Sequence, residues 1–444
     1  MDLTQSQLKS LERFQAIVRK KTISDRDGNI DREVFDSFLP MLKEIYPDVF
    51  AVVECQLINE YGILIRWKGK NSNLQPVVLM AHYDVVSDKD QDWKHPAFEA
   101  EIHDGVVWGR GTIDNKCIFT GILEGMEKLI LDGFTPDRDI YFAAGNNEEV
   151  AGDTMIKIAD WFTENKIKPW FVLDEGGAIM TQLPMGIKHP FAMVAVSEKG
   201  WATVKVTLKG ETIAHAAKST GKVPVPVKML RAMAKLDSTP MKAQFTPPVE
   251  GMLKAFAPYA DKPLNIVLDK VSILKPAIKK VMEGIEDAAA MIRTTINLIG
   301  IDVPNKGNLP ADTAVATYRL RIAPHDTLEA VVDHIKKVVG DDFEVTVESI
   351  SHPAPISDHT TKSFEYIKST INKVFPDVGV APFILNAGTD ARHFRNVCKE
   401  VYRFGGFRID DELFKSVHNA NERLPVDVFL KSIDFYVEFM KGLK

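Results

Sequence analysis

Apolar and polar positions along this chain follow two different periods, and together the two periods predict the fold. From residue 51 to about 198, β-rich runs such as PVVLMAHYD, DIYFAA and FAMVAVSE alternate with segments whose apolar residues recur every three or four positions. Strands that alternate with amphipathic helices are typical of a mostly parallel α/β sheet. The same pattern returns after residue 351, which predicts a discontinuous large domain of residues 1–198 and 351–444.

A different pattern between residues 199 and 350 predicts a second, smaller domain. WATVKVTLKG, TAVATYRLRIAP and FEVTVESI alternate apolar and polar residues in the manner of half-exposed strands, and helix-like segments separate them. This arrangement is typical of an α+β unit of the ferredoxin-like kind. Within it, residues 240–290 are helix-like with proline breaks, and we interpret them as an insertion into the smaller domain.

Composition limits the expected binding partners and the expected cellular compartment of the protein. The 444 residues include 55 Lys and Arg against 61 Asp and Glu, for a net charge of −6, so nucleic acid and anionic membranes are not expected partners. No run approaches the roughly 18 apolar residues of a membrane span and the first residues lack a signal-peptide pattern, so we predict a cytoplasmic protein. Three cysteines outside any CxxC spacing predict reduced thiols.

Histidines and acids stand where the apolar runs stop. Ligands of open parallel sheets bind beyond the carboxyl ends of the strands, so polar residues at these ends are candidates for chemistry. His82 and Asp84 are two residues apart, so on a strand their side chains would lie on the same face of the sheet. The candidates are His82 and Asp84, Asp114, Glu148 and Glu149, Asp174 and Glu175, and, ahead of the last helix, His418.

Each candidate also has a purely structural explanation. Asp114 could cap the helix that follows it, and Glu148 with Glu149 could be a solvated helix start. All these explanations would have to hold at successive strand ends of one sheet, where converging acids without a cation would repel one another. Two histidines with several carboxylates suit zinc, and two ions sharing one carboxylate could activate a common water. The sequence therefore predicts a dinuclear metal site.

Six segments resemble a known family in their order and spacing. HYDVV, WKHPAFEAEIHDGVVWGRGTIDNK, NNEEVAG, DEGG, GTDARHF and HNANERLPVDVF are similar to the co-catalytic zinc metallopeptidases that include carboxypeptidase S, carboxypeptidase G, aminoacylase and acetylornithine deacetylase. DEGG and HNANER are most similar to the carboxypeptidase S or dipeptidase-like branch. The resemblance implies a catalytic α/β domain interrupted by a lid or dimerisation domain, two Zn²⁺ with Co²⁺ or Mn²⁺ as alternatives, and a homodimer.

The resemblance also implies which residues hold the ions. His82 and Glu175 would be terminal ligands of one zinc, and Glu149 and His418 would be terminal ligands of the other. Asp114 would bridge the two ions.

Further roles follow from the same motifs. Glu148 would be the general base and Asp84 would orient His82. The peptide between Asp114 and Asn115 would be cis.

Three more residues carry expectations about substrate. His215, in a run that reads HAAKS where relatives have an HSS-type run, would reach the partner subunit's active site and stabilise the oxyanion. Arg392 would bind the substrate carboxylate, although a surface arginine paired with Asp390 is an equal alternative. Asn308 would contact substrate. The other histidines, among them His95 and His103, match no ligand position and are expected to be structural or solvent-facing.

The preferred function is therefore zinc-dependent hydrolysis of an amide beside a free α-carboxylate, by a carboxypeptidase or dipeptidase. An aminoacylase acting on N-acyl amino acids would use the same residues. A non-catalytic binding protein would be expected to lack the base or a ligand, and a structural metal site would not need Glu148.

Overall fold

The computed structural model describes residues 3–25, 28–183, 186–211, 223–305, 307 and 309–443, with Asp287 described by its backbone alone. The strands within these residues are β1 (Glu54–Ile58), β2 (Gly62–Trp67), β3 (Val77–His82), β4 (Ile102–His103), β5 (Val106–Trp108), β6 (Ile140–Gly145), β7 (Phe171–Asp174), β8 (Ile179–Met180), β9 (Phe191–Glu198), β10 (Gly200–Lys209), β11 (Thr295–Asp302), β12 (Thr313–Ile322), β13 (Phe343–Ser351), β14 (Gly379–Leu385), β15 (Val401–Arg403), β16 (Arg408–Ile409) and β17 (Arg423–Pro425).

The helices within the same residues are α1 (Gln5–Arg19), α2 (Arg32–Asp36), α3 (Phe38–Ile45), α4 (Pro47–Val52), α5 (Lys116–Leu131), α6 (Thr154–Glu164), α7 (Val225–Asp237), α8 (Pro247–Phe256), α9 (Leu264–Asp269), α10 (Val271–Glu283), α11 (Glu286–Ile292), α12 (Leu328–Val339), α13 (Lys362–Val374), α14 (Asp411–Ser416) and α15 (Val426–Lys441). Short 3-10 turns span Glu148–Val150, Ala257–Tyr259 and Asp390–Asn396. No helix in this part of the chain combines the length and the apolar character that a membrane crossing requires. The cytoplasmic location stays a prediction.

A large mixed sheet forms the centre of the molecule. Its strand order is β1-β2-β6-β3-β7-β15-β9-β8-β16, with β14 paired to β9. The central strands β6, β3, β7 and β15 run parallel to one another, whereas β2 pairs antiparallel with β6 and β9 pairs antiparallel with β15. Every residue of β3 and β6 is buried, as expected of a parallel sheet that is covered on both faces. The predicted α/β fold with a mostly parallel sheet is confirmed.

Helices cover both faces of this sheet. On one face, α5 packs against α1 and α15. Gly121 and Gly125 of α5 allow α15 to approach closely. A Cβ atom at Gly125 would lie 3.1 Å from Cβ of Tyr436 and 3.3 Å from its backbone carbonyl carbon, so α5 and α15 are in close contact there. On the other face, α6 and the 390–396 turn bury a separate apolar cluster. Rigid helices on both sides hold the strand ends in fixed positions.

The second sheet is antiparallel, with strand order β11-β12-β10-β13. Buried and half-buried residues alternate along β12, as expected of a sheet that is covered on one face only. Helices α7 and α12 pack on the covered face. The smaller α+β unit is therefore confirmed as part of the fold, whereas the exact domain limits at residues 199 and 351 stay a prediction.

The stretch of residues 240–290, whose insertion into the smaller domain stays a prediction, packs on the large sheet. Helix α8 lies against β14 of the large sheet, and α9 and α10 pack on α8. Val249, Met252 and Phe256 of α8 share an apolar cluster with Phe191 and Met193 of β9. The apolar face of this stretch is thus buried by the large sheet, because that sheet offers it large apolar side chains.

Candidate active site

The candidate site lies where three neighbouring parallel strands end. His82 is the last residue of β3 and lies opposite Gly145, the last residue of β6. The 3-10 turn that begins at Glu148 follows β6 directly, and Glu175 follows the last residue of β7. Because parallel strands end at one edge of the sheet, segments far apart in sequence meet here.

Asp114 lies at the centre of two groups of possible metal ligands. Its Oδ1 atom is 3.0 Å from Nε2 of His82, and its Oδ2 atom is 3.0 Å from Nε2 of His418. Nε2 of His82 is also 3.6 Å from Oε1 of Glu175, and Nε2 of His418 is 3.0 Å from Oε2 of Glu149. His82, Asp114 and Glu175 form one compact group, and Asp114, Glu149 and His418 form the other. The structure therefore brings together all five predicted ligands.

The charges at this edge are not balanced within the protein. Burial and the nearby Asp114 carboxylate raise the pKa of Glu149 to about 7, and the same two causes raise the pKa of Glu175 well above its ordinary value. Hydrogen bonds with Asp114 and Glu149 raise the pKa of His418 to about 11. Oε1 of Glu149 is buried and has no hydrogen-bond partner among the described residues. A divalent cation would satisfy this oxygen and offset the repulsion.

Asp84 connects the histidine to the two glutamates. Its backbone carbonyl lies 3.0 Å from Nδ1 of His82, and its Oδ1 atom lies 3.3 Å from the same nitrogen. Its carboxylate also accepts the backbone N–H groups of Glu148 and Glu149 at 3.1 Å and the Ser24 hydroxyl at 2.5 Å. One buried carboxylate thus fixes both the ring orientation of His82 and the turn at Glu148. Ser24 was not among the residues predicted from the sequence.

Glu148 stands beside the ligand groups without belonging to either of them. Burial raises the pKa of Glu148 well above its ordinary value, and the carboxylates of Glu175, Asp390 and Glu149 add to the rise while His82 opposes it. A carboxyl group that is close to the ligands and holds its proton readily can accept and return a proton.

Glu422 is a residue of this site that the sequence did not reveal. Its fully buried carboxylate accepts the backbone N–H groups of Gly111, Ile113 and Asp114 at 2.8–3.1 Å, and Nη1 of Arg110 at 2.8 Å. Glu422 therefore holds the glycine-rich turn that presents Asp114. Glu422 lies in the HNANER segment that carried the resemblance, but the motif gave it no role, because its hydrogen bonds reach a turn that is about 310 residues away in sequence.

The peptide between Asp114 and Asn115 is cis, as the resemblance implied. The side-chain oxygen of Asn115 accepts the backbone N–H of His82 at 3.3 Å. Asp174, the acid next to Glu175, accepts instead the N–H of Ala391 at 2.9 Å. Glu175, the acid chosen from DEGG, is the one that lies beside His82.

A model of the peptidase family M20/M25/M40 matches residues 78–442 of the chain. The chain belongs to this family. Probable carboxypeptidase S-like 2 of Dictyostelium discoideum is 32% identical over 457 residues, covering 99% of this chain and 86% of the relative. The human N-fatty-acyl-amino acid synthase/hydrolase PM20D1 is 29% identical over 438 residues, covering 97% of this chain and 87% of the relative.

Solved structures of the family share the fold. An M20 family metallo-carboxypeptidase, Sso-CP2 from Sulfolobus solfataricus, superimposes with a TM-score of 0.68 at 18% identity, covering 97% of this chain and 98% of that one. Human carnosine dipeptidase 1 gives a TM-score of 0.65 at 14% identity, with coverages of 98% and 96%. The family resemblance seen in the six segments is confirmed. M20 membership makes the chain a hydrolase of a metallopeptidase family and implies a bound divalent metal.

Of the three predicted substrate contacts, Arg392 alone lies within the described residues, and its role stays a prediction. Arg392 donates from Nε to the Thr389 carbonyl at 2.6 Å and from Nη1 to the Ser351 hydroxyl at 2.9 Å. Its Nε also lies 3.2 Å from Oε1 of Glu198. Arg392 thus sits where the chain passes between the two sheets, and it is not part of either ligand group. His215 and Asn308 lie outside the described residues.

Proposed function

We propose that this M20-family hydrolase cleaves an amide bond next to a free α-carboxylate, as a carboxypeptidase or dipeptidase. The observation that carries the proposal is the pair of ligand groups that share Asp114, with Glu148 beside them. The relative named a probable carboxypeptidase S-like protein supports this substrate class.

The donor set fits two zinc ions, with Co²⁺ or Mn²⁺ as alternatives. His82, Asp114 and Glu175 would hold one ion, and Asp114, Glu149 and His418 would hold the other. Nitrogen and carboxylate ligands in groups of three, with open positions left over, are typical of catalytic rather than structural zinc. When bound, such ions supply Lewis-acid activation of water and of the substrate carbonyl.

The chain's own residues would move the protons. Glu148 takes a proton from the attacking water and later delivers it to the leaving amine. Its backbone N–H is held by Asp84, which also orients His82, so the base keeps a fixed position relative to the ligands. Asp84 acts here as a positioning residue.

The substrate and partner contacts complete the proposal. His215 stabilises the oxyanion from the partner subunit of a homodimer, and Arg392 and Asn308 contact the substrate. For Arg392 this requires exchanging present hydrogen bonds for the substrate carboxylate, because its Nε and Nη1 atoms already have partners.

A second candidate, hydrolysis of N-acyl amino acids, rests on a separate observation. Several relatives that are 28–30% identical over 97–99% of this chain are named N-fatty-acyl-amino acid synthase/hydrolase. Both candidate reactions break an amide beside an α-carboxylate, so the same base and ligands would serve either. The two candidates differ in the group on the nitrogen.

A substrate panel separates the two candidates. Zinc-loaded protein would be assayed on dipeptides, on acetylated amino acids and on long-chain acyl amino acids, with Co²⁺ and Mn²⁺ loading in parallel. We expect the fastest turnover on dipeptides. A preference for long-chain acyl amino acids would favour the second candidate, and no hydrolysis of any amide in the panel would refute both.

A further inference from the structure

Two histidines and a glutamate meet on the surface in a group that shares no residue with the candidate active site. His95, Glu101 and His103 each place one potential ligand atom within 4.8 Å of the others. Nε2 of His103 lies 2.8 Å from Oε2 of Glu101, and Nδ1 of His95 lies 3.5 Å from the same oxygen. We propose that this group is a further binding site for a divalent transition-metal ion such as Zn²⁺.

Local structure holds the three side chains together. Glu101 and His103 are two residues apart where the chain enters the β4–β5 hairpin, and the Glu101 carbonyl accepts the Trp108 N–H at 2.9 Å. Residues two apart in an extended strand point to the same side. His95 comes from the preceding loop and stacks on the His103 ring, with ring centres 3.7 Å apart. The Trp108 ring contacts His95 at 4.7 Å and limits its movement.

The chemistry of the group fits a transition metal better than a hard cation. Imidazole nitrogens suit Zn²⁺, Cu²⁺ and Ni²⁺, whereas Mg²⁺ and Ca²⁺ prefer oxygen ligands. Two ligand atoms that are each about 2.1 Å from a tetrahedral zinc ion lie about 3.4 Å apart. The 3.5 Å between Nδ1 of His95 and Oε2 of Glu101 is close to this value, whereas Nε2 of His103 lies nearer to the same oxygen, at 2.8 Å. Small rotations of side chains that are 17–44% exposed would bring all three onto one ion.

The position of the group gives the ion a structural consequence. Strand β5 pairs with β17, and Trp108 lies opposite Arg423, directly after the segment that carries His418 and Glu422. The backbone N–H of Lys94, next to His95, donates to the Asn421 side chain at 2.7 Å. An ion on His95, Glu101 and His103 would join the loop to the hairpin and brace this wall of the candidate active site.

Counting bound zinc tests the proposal. The full-length protein and the variants His95→Gln, His103→Gln and Glu101→Gln would be dialysed against a series of buffered free Zn²⁺ concentrations. Zinc and protein would then be measured in each sample. The matched control is His352→Gln, because His352 is exposed and belongs to no ligand group of the described residues. We expect the wild type and the control to bind one more Zn²⁺ per chain than the two histidine variants.

Folding and the candidate active site are checked in the same samples. Circular dichroism shows whether each variant is folded, and the zinc bound at the lowest free concentrations reports the ligands around Asp114. Because the two histidines come from different segments, a folding defect in one variant leaves the other as the test. Equal zinc counts in the wild type and in a folded His95→Gln or His103→Gln protein would overturn the proposal.

Discussion

The protein buries two groups of acidic side chains, and they differ in how their charge is balanced. On α5, Glu124 and Glu127 face Arg13 of α1, whose Nη1 and Nη2 atoms lie 3.2 Å and 2.5 Å from the two carboxylates. The hydroxyl groups of Tyr46 and Ser10 also donate to Glu124 at 2.8 Å and 2.6 Å. One guanidinium group therefore balances one of the two carboxylate charges from within the chain, and two hydroxyl groups add hydrogen bonds to Glu124.

The acids at the strand ends meet no permanently charged guanidinium in the ligand groups, and their partners there are imidazole rings that carry charge only when protonated. Asp114, Glu149 and Glu175 meet only the imidazole rings of His82 and His418 in the ligand groups. Burial and mutual repulsion raise the pKa of both glutamates, which means that the protein pays to keep them ionised.

The difference separates an acid group that supports the fold from one that is prepared for an external ion. Both are buried and both would look alike as acidic residues in a sequence. Each group has one buried carboxylate oxygen without a partner among the described residues, Oε2 of Glu127 and Oε1 of Glu149. The groups differ in their positive partner, because the carboxylates on α5 meet a permanently charged guanidinium, whereas those at the strand ends meet imidazole rings. Changes to the two groups should therefore affect different measurements.

The largest expected effect is on catalysis and comes from Glu148→Gln. Losing the proton acceptor should lower kcat by about 10²- to 10⁴-fold, the usual contribution of general acid–base catalysis. Zinc content and thermal stability should stay close to wild type, because Glu148 belongs to neither ligand group. Steady-state kinetics on the best substrate of the panel and zinc analysis measure both quantities.

The control for this variant is Glu164→Gln, which removes an exposed carboxylate at the end of α6. It should leave kcat unchanged. Retention of wild-type kcat by a zinc-loaded Glu148→Gln protein would show that the base lies elsewhere.

The next largest effect is on folding and comes from Arg13→Ala. This change leaves Glu124 and Glu127 buried without their cation, which typically costs about 3–5 kcal/mol of unfolding free energy. The kcat of the protein that remains folded should be unchanged, because Arg13, Glu124 and Glu127 belong to neither ligand group at the strand ends. Urea unfolding gives the free energy, and a loss below about 1 kcal/mol would contradict the role assigned to the arginine.

Metal removal should lower both the catalytic activity and the stability of the protein. Chelated protein should lose activity, and zinc at about 100 times its dissociation constant should restore about 2.7 kcal/mol of stability per ion. Thermal melts of chelated and zinc-reloaded samples measure the difference. Arg13→Ala is the control variant, because it changes only the α5 group. This protein should gain as much stability from zinc as the wild type does. Equal stability with and without zinc would contradict the proposed ligands.

The pH dependence of the chelated protein follows from the same groups. The folded pKa of Glu149, about 7, lies above its ordinary value of 4.5, so between these values the folded state binds more protons than the unfolded state. The free energy of unfolding of the chelated protein should therefore fall as pH rises from about 4.5 to about 7. Bound zinc displaces the proton, so the reloaded protein should show a weaker decline. A rise over this range would contradict the assigned pKa direction.

The smallest expected effect on function is a loss of metal affinity and comes from Glu422→Gln, which also leaves the buried Arg110 without its carboxylate and should lower the free energy of unfolding. An amide can still accept some of the hydrogen bonds from Gly111, Ile113 and Asp114, but it loses the ion pair with Arg110. Partners that orient a metal ligand typically contribute 10- to 100-fold in affinity, so zinc should bind about that much more weakly. Competition with a chromophoric chelator measures the affinity. An unchanged affinity would mean that the turn holds Asp114 without Glu422.

Much of the fold could be predicted because its strands and helices have clear periods. Burial on both faces could be predicted from the continuous apolar runs of β3, β6, β7 and β9. Burial on one face could be predicted from the alternating residues of β10 and β12. The surface that covers helix α8 could not be predicted, since an amphipathic period shows that a helix has an apolar face but not which surface covers it. Here Phe191 of the large sheet covers that face.

The candidate site was predictable to the extent that position along a strand decides chemistry. His82 and Glu175 could be identified because parallel strands bring their carboxyl ends to one edge. Ser24 and Glu422 could not, because they act through hydrogen bonds to segments that are distant in sequence. The stacking of His95 on His103 has the same origin, since it depends on how a loop returns to a hairpin.

The sequence by itself determined which residue types are available at the strand ends and that converging acids there require a cation. Only the tertiary structure decided which acids are paired with Arg13 and which are left for a metal. The physical reason is that periodicity and strand-end position are local properties of the chain. Charge balance depends instead on side chains that folding brings together from distant segments.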